Sequence, residues 1–250
     1  MSSPTVLKLG GSVVTEKDQP ETVATARLDE LAAVIAEFDG SLVVVHGGGS
    51  FGHHHASAHG VSRTTGSRDP AAARDITNAM RTLNDAIVDA LADAGVPAVP
   101  VHPFSVAARD SDADLSLPTA SVEAMLDAGL VPVLHGDVVA HAGEGVSILS
   151  GDELVVALAD AFGAARVGLC SAVPGVLDGD GDVVPRIDSF DDVAHLLGGS
   201  DATDVTGGMA TKVRELLALE SPAYIFDVDG VAPFLTGAGP GTRIGQSSQD

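Results

Sequence analysis

The 250-residue chain is poor in the residues that would place it in several common classes. It has one cysteine, Cys170, which excludes an internal disulfide and a cysteine-based zinc site. The apolar neighbours Val167 and Leu169 mark that cysteine as a buried structural thiol. No apolar run reaches membrane length, and the opening "MSSPTVLKLGG" has no basic segment followed by a signal-type apolar stretch, so a cytoplasmic protein is expected. Cations are scarce: 13 basic residues stand against 35 acidic ones, a net charge of -22. That balance disfavours nucleic acid or an anionic membrane as partner. The acids are scattered among 45% hydrophobic residues, which suits a folded protein with an acidic surface whose self-repulsion is screened in a salt-rich environment.

What is present is a repeating rhythm of apolar runs and helical periodicities, pointing to βα units and a largely parallel sheet. Strands are predicted at 5–9, 41–45, 97–101, 130–134, 165–169 and 223–226, and helices at 22–38, 70–94, 119–128, 151–162 and 208–220. Loops are read at 60–69, 141–145, 178–185 and 198–206. "DGDGDV" from Asp178 to Val183 lacks the glutamate that closes a calcium loop, because the twelfth position is Ser189, and reads as a solvated hairpin turn.

Glycines gather where strands end or helices open: Gly10 with Gly11, Gly47 to Gly49 with Gly52, Gly136, Gly151, and Gly207 with Gly208. Glycine at such turns lets backbone N–H groups approach phosphate oxygens, and a helix N-terminus favours the anion. "GGGSFG" satisfies a dinucleotide fingerprint after a strand, but residues 53–69 contain no second apolar run, so the rest of a Rossmann unit is missing. There is no G-x-x-x-x-G-K-[ST] either. The only lysines, Lys8, Lys17 and Lys212, lie in or beside these glycine segments. Five glycine clusters and three lysines argue for a phosphate-rich site, and phosphoryl transfer, which depends on positioning and charge neutralisation, explains the set.

"VLKLGGSVVTEK", "VVVHGGGSFGHHHA", "LVPVLHGDVV", "SILSGDELVVALA" and "DVTGGMATK" resemble, in order and spacing, the isopentenyl phosphate kinases of the amino acid kinase superfamily. The resemblance runs from about Thr5 to Leu217. It implies a three-layer α/β/α sandwich with a largely parallel central sheet, formed as one domain over 1–250, with an acceptor-binding lobe at 1–162 and a nucleotide-binding lobe at 163–250. It also implies transfer of the ATP γ-phosphoryl group to isopentenyl phosphate with Mg2+, and a homodimer.

Carried over by motif, Lys8 bridges the phosphates and Lys17 supports the local network. Gly10, Gly11 and Ser12 serve the nucleotide phosphates, together with Gly207, Gly208 and Lys212. Gly47, Gly48, Gly49, Gly52 and Gly151 serve the acceptor. His53 is the family's substrate-sensing histidine, able to give the acceptor phosphate a charge-assisted hydrogen bond. Asp152 organises the lysines, the magnesium or the acceptor. The alkenyl tail pocket is expected near Ile76, Met80 and Leu83, with Ile148 opposite; the same apolar face would equally serve to pack a helix on the sheet. One departure stands out: the family's "DVDGV" after the strand near 170 is replaced by "SAVPGV", Ser171 to Val176, and the "DVDGV" at Asp227 to Val231 lies too far along the chain to be assumed equivalent.

His53, His54, His55 and His59 admit a metal reading, His55 and His59 having i, i+4 spacing, but surface or supporting roles suit all except His53 better. His46, at a strand end, reads as structural. Two other functions stay open at this stage: another kinase of the superfamily, acting on a nucleoside monophosphate, an acyl amino acid or a phosphonate, and a non-catalytic nucleotide- or oxyanion-binding protein. From charge alone, thermal unfolding is expected at clearly higher temperature in molar potassium chloride than in dilute buffer; equal midpoints would refute the salt-adapted reading.

Overall fold

The structure, a computed structural model, describes residues 3–197 and 208–245. Twelve strands occur in it: β1 Thr5–Leu9, β2 Leu42–His46, β3 Ala98–Val101, β4 Ala108–Arg109, β5 Leu115–Ser116, β6 Val131–His135, β7 Asp137–His141, β8 Gly145–Leu149, β9 Arg166–Cys170, β10 Arg186–Ile187, β11 Ala223–Phe226 and β12 Thr242–Ile244. The α-helices among the described residues are α1 Gly11–Val14, α2 Thr25–Ala36, α3 Gly49–His59, α4 Pro70–Asp93, α5 Ala120–Asp127, α6 Gly151–Phe162, α7 Ala194–Leu197, α8 Gly208–Leu217 and α9 Val231–Leu235.

Eight strands form the main sheet in the order β10-β12-β11-β9-β1-β2-β6-β3, parallel apart from the β11–β12 pair. Strand periodicity splits each strand between two apolar layers. Leu7, Leu9, Leu42, Val44 and Val133 pack with α2, α4 and α9 on one face. Val6, Val43, Val45, Leu134 and Val167 pack with α6 and α8 on the other. This is the expected three-layer sandwich. In β1, Lys8 shares the second face with Val6, so its side chain rises on the side of α6.

The six predicted strands and five predicted helices are present within a few residues of the expected bounds. Helix α2 begins at Thr25 rather than 22 because Val23 bridges Thr15 and keeps the chain extended. The turn at 178–183 closes a Leu177–Val183 bridge, with the Asp178 carboxylate accepting from the backbone N–H groups of Asp180 and Asp182, as a solvated hairpin would. The expected loop at 198–206 lies outside the described residues.

Two features were not anticipated. Helix α3 buries little apolar surface, chiefly Phe51 and Ala56, and is held by its packing on α4 rather than by an apolar periodicity of its own. A second sheet, β5-β4-β7-β8, is built on the β7–β8 hairpin, whose turn falls in the expected loop at 141–145.

Two glycine turns pack back to back. A Cβ on Gly11 would lie 2.2 Å from the backbone nitrogen of Gly49, and Gly49 itself has φ +47 with Thr15 Oγ1 2.2 Å from its Cβ position. Thr15 stitches these turns together, donating to the Gly11 carbonyl at 2.7 Å and accepting from the Ser50 N–H at 3.0 Å. Gly11→Ala is therefore expected to lower unfolding free energy by at least about 2 kcal/mol in denaturant titration. Gly179→Ala, which meets nothing within 4 Å, should be neutral or slightly stabilising.

Candidate active site

A cavity of about 1080 Å³ opens at the carboxyl ends of β1, β2, β6 and β9, where ligands of open α/β sheets bind. Its walls include Gly10, Gly11 and Ser12 after β1, Gly47 to Gly49 after β2, Gly136 after β6 and Ser171 to Val173 after β9. Gly11, Gly49 and Gly151 are the first residues of α1, α3 and α6, so three helix N-termini meet at one opening.

Charge at the centre is arranged around one carboxylate. Asp152 lies in the first turn of α6, whose start is set by a capping box: Ser150 accepts from the Glu153 N–H, and the Glu153 carboxylate accepts from the Ser150 N–H. One Asp152 oxygen takes a hydrogen bond from Lys8 Nζ at 2.5 Å, with only 8% and 5% of the two side chains exposed. Its other oxygen stands 3.7 Å from Lys212 Nζ on α8. Strand β1 and helices α6 and α8 thus converge on a single anion, and both lysines line the cavity. The exposed Lys17 lines the same cavity from the segment after α1.

Of the remaining expected residues, His53 sits exposed on the cavity rim, in the second turn of α3. Ile76, Met80 and Ile148 line an apolar part of the cavity and are otherwise almost wholly buried. Gly52 serves a packing need: a Cβ there would meet Met80 Sδ at 2.7 Å, so its bareness lets the methionine reach the wall. Leu83 is a correction. It is fully buried in the core with Ile87 and Leu91 and is not part of the cavity wall, because two turns of α4 past Ile76 the helix has left the site. Gly208, at φ +65, opens α8 beside the cavity, where Met209 and Lys212 form the wall; Gly207 lies outside the described residues.

The other histidines are engaged with the protein. His55 Nε2 stands 2.6 Å from Glu21 Oε1, and His59 Nε2 stands 2.9 Å from Asp75 Oδ2. His46 is fully buried, and burial pushes its pKa down to about 4. Its rings stack with His135, whose pKa burial lowers to about 3, so both imidazoles are neutral at physiological pH. Cys170 is buried as expected, and burial raises its thiol pKa to about 12.

Several neighbours of the site carry no local sequence signal. Asp137 borders the cavity, accepts hydrogen bonds from the Thr77 hydroxyl at 2.7 and 2.8 Å, and has its pKa raised to about 6 by burial. Arg63, Arg109 and Glu215 join Glu153 in an ion-pair network beside Asp152. Only the capping box in "SGDE" was readable as a local pattern. On the β9 side, Ser171 spends its hydroxyl on its own turn, bonding Val173, so the "SAVPGV" variant presents Ala172 and Val173 with Ile225 and Leu169 as a largely apolar wall. The distant Asp227 to Val231 segment does not line the cavity.

Comparison with known proteins gives the family. Residues 3–227 match the amino acid kinase family. The isopentenyl phosphate kinase of Haloferax volcanii is 61% identical over 241 residues, covering 96% of this chain and 97% of the relative. That of Methanocaldococcus jannaschii is 31% identical, with 96% and 98% covered. An isopentenyl phosphate kinase solved by X-ray crystallography superposes with a TM-score of 0.82 at 28% identity, covering 96% of this chain and all of the other. The chain therefore belongs to the amino acid kinase family and, within it, to the isopentenyl phosphate kinases.

Proposed function

We propose that the protein transfers the γ-phosphoryl group of ATP to isopentenyl phosphate, giving isopentenyl diphosphate and ADP, the last step of an alternative mevalonate route. One observation carries the reading: two lysines held by one buried carboxylate at the meeting of glycine turns, opening on one side into an apolar recess of Ile76, Met80 and Ile148. The lysine and glycine centre suits two phosphate-bearing reactants that would otherwise repel each other. The recess suits a short hydrocarbon tail, and it offers little to a nucleobase or an amino acid acceptor.

The acceptor's ionised phosphate oxygen attacks the γ-phosphorus, the bond to the ADP oxygen breaks, and no general base is required. Lys8 and Lys212 draw charge off the transferring group, and Asp152 keeps them on one line. Amides of Gly10, Gly11 and Ser12 face the nucleotide phosphates, those of Gly47 to Gly49 and Gly151 the acceptor, and His53 donates to the acceptor phosphate from the rim. Lys17 adds positive charge at the opening. In this reading residues 1–162 form the acceptor lobe and 163–250 the nucleotide lobe of one domain.

The cavity wall offers Asp18, Asp137 and Asp152 as carboxylates, of which only Asp152 stands between the phosphate lysines. A magnesium ion brought in with the nucleotide would find in Asp152 the carboxylate of this chain placed to contact it. When bound, that ion would neutralise phosphate charge. Among the described residues, no helix is long and apolar enough to cross a membrane. Dependence on ATP supports a cytoplasmic location, and kinship with the isopentenyl phosphate kinases supports a homodimer.

The test is ATP consumption with isopentenyl, dimethylallyl, geranyl and nucleoside monophosphates in high salt. Turnover of isopentenyl phosphate is expected, and activity only with a nucleoside monophosphate would overturn the reading. His53→Ala should cut kcat/KM for the acceptor by about 100-fold with the KM for ATP little changed, and Lys8→Met should lower kcat by about 100- to 1000-fold. Unchanged acceptor kinetics in the histidine variant would remove its assigned role.

A further inference from the structure

Beside the Asp152–Lys212 pair runs a second set of charges that the transfer chemistry does not use. Glu153 follows Asp152 in α6 and points to Arg63, while Glu215 follows Lys212 by three residues and so shares its face of α8. Between them lies Arg63. Its Nε is 3.2 Å from Glu153 Oε2, and its Nη1 is 3.0 Å from Glu215 Oε1. The arginine belongs to neither helix; it comes from the segment joining α3, which carries His53, to α4.

The three side chains are well shielded, with 27%, 13% and 20% exposed for Arg63, Glu153 and Glu215, so salt screens the set less than it would a surface pair. Arg109, on the far side, donates to Glu153 at 2.6 Å and does not reach Glu215. Among the described residues, Glu215 Oε2 is buried without a hydrogen-bond partner, so Arg63 is the cation on which that carboxylate rests. Burial raises the Glu215 pKa, the charges of Asp152 and Glu153 push it further up, and Arg63 opposes them. Take the guanidinium away and Glu215 alone is left without an ion-pair partner among the described residues, facing the charges of Glu153, which keeps Arg109, and Asp152, which keeps the two lysines.

We propose that Arg63 is a positioning residue for phosphoryl transfer: its guanidinium fork clasps α8 to the first turn of α6 and so sets the distance from Lys212 to Asp152. The planar fork is suited to this, since two nitrogens in fixed geometry hold two carboxylates on different elements. Entering from the chain that follows the His53 helix, Arg63 also ties the acceptor side to the lysine of the nucleotide side. The inference rests on the kinase reading for the direction of its effect on turnover. Its effect on nucleotide binding stands apart from the identity of the acceptor.

The experiment compares the full-length wild type with Arg63→Ala, Arg63→Lys and the double variant Arg63→Ala/Glu215→Gln. ATP affinity is read by calorimetry, kinetics with isopentenyl phosphate by coupled assay, and folding by thermal unfolding. Arg63→Ala should weaken ATP binding and raise its KM by about tenfold, with a smaller change in the acceptor KM. Arg63→Lys, which keeps the charge and loses the fork, should fall between wild type and alanine. The double variant removes the repulsion and should recover at least about threefold in ATP affinity over Arg63→Ala. A folded Arg63→Ala protein with wild-type ATP affinity would overturn the proposal. So would a double variant no better than the single one, since a role confined to bracing the α6 cap gives no reason for Glu215→Gln to help. Loss of turnover with every monophosphate in the wild type would instead count against the kinase reading, with the calorimetric comparison still deciding the clasp.

Discussion

The buried ion pair between Lys8 and Asp152 is the constraint on which the rest of the site depends. A lysine in the middle strand of a parallel sheet is costly to bury unless its charge is met at close range. Here strand periodicity turns Lys8 to the α6 face, and the capping box of Ser150 and Glu153 fixes where α6 begins, placing Asp152 within 2.5 Å. Breaking such a pair by removing one partner costs about 3–5 kcal/mol in general, because the other charge stays buried and unmet. Its second oxygen stands 3.7 Å from Lys212 Nζ, so one carboxylate serves lysines from both β1 and α8.

Around that pair, bareness does as much as charge. The turns after β1 and β2 approach so closely that Gly11 and Gly49 leave no room for a side chain, and Gly52 leaves a place for Met80. The first closeness brings helix N-termini together at one opening; the second shapes the apolar wall beside it. On the proposed function, the segment Gly47 to Gly52 would thus serve both the acceptor phosphate, through its turn, and the acceptor tail, by leaving room for Met80. The stacked, neutral His46 and His135 lie at the ends of adjacent strands, each donating its Nδ1–H to the carbonyl of the glycine that follows.

Continuous apolar runs made β1, β2, β6, β9 and β11 legible in the sequence, and a clean 3.6-residue period did the same for α4. Lys8, Asp152 and Lys212 were legible because lysines are so rare and because each falls in a specific motif. Helix α3 escaped because its stability comes from contact with α4, which no local pattern records. Leu83 was drawn into the pocket because periodicity assigns a face and says nothing of how far along a helix the cavity extends. Arg63, Glu153 and Glu215 meet from three separated segments, and only folding brings them together. The "SAVPGV" departure was visible as letters, whereas its consequence, an apolar wall with the serine turned onto its own loop, needed the geometry.

The most direct test of the account is single-turnover phosphoryl transfer by Asp152→Asn, an exchange that keeps the side chain's shape and removes the charge shared by the two lysines. With the fold verified by circular dichroism, transfer from ATP to isopentenyl phosphate should slow by about 100-fold or more. Transfer at the wild-type rate would contradict the claim that one carboxylate aligns Lys8 and Lys212 for the reaction.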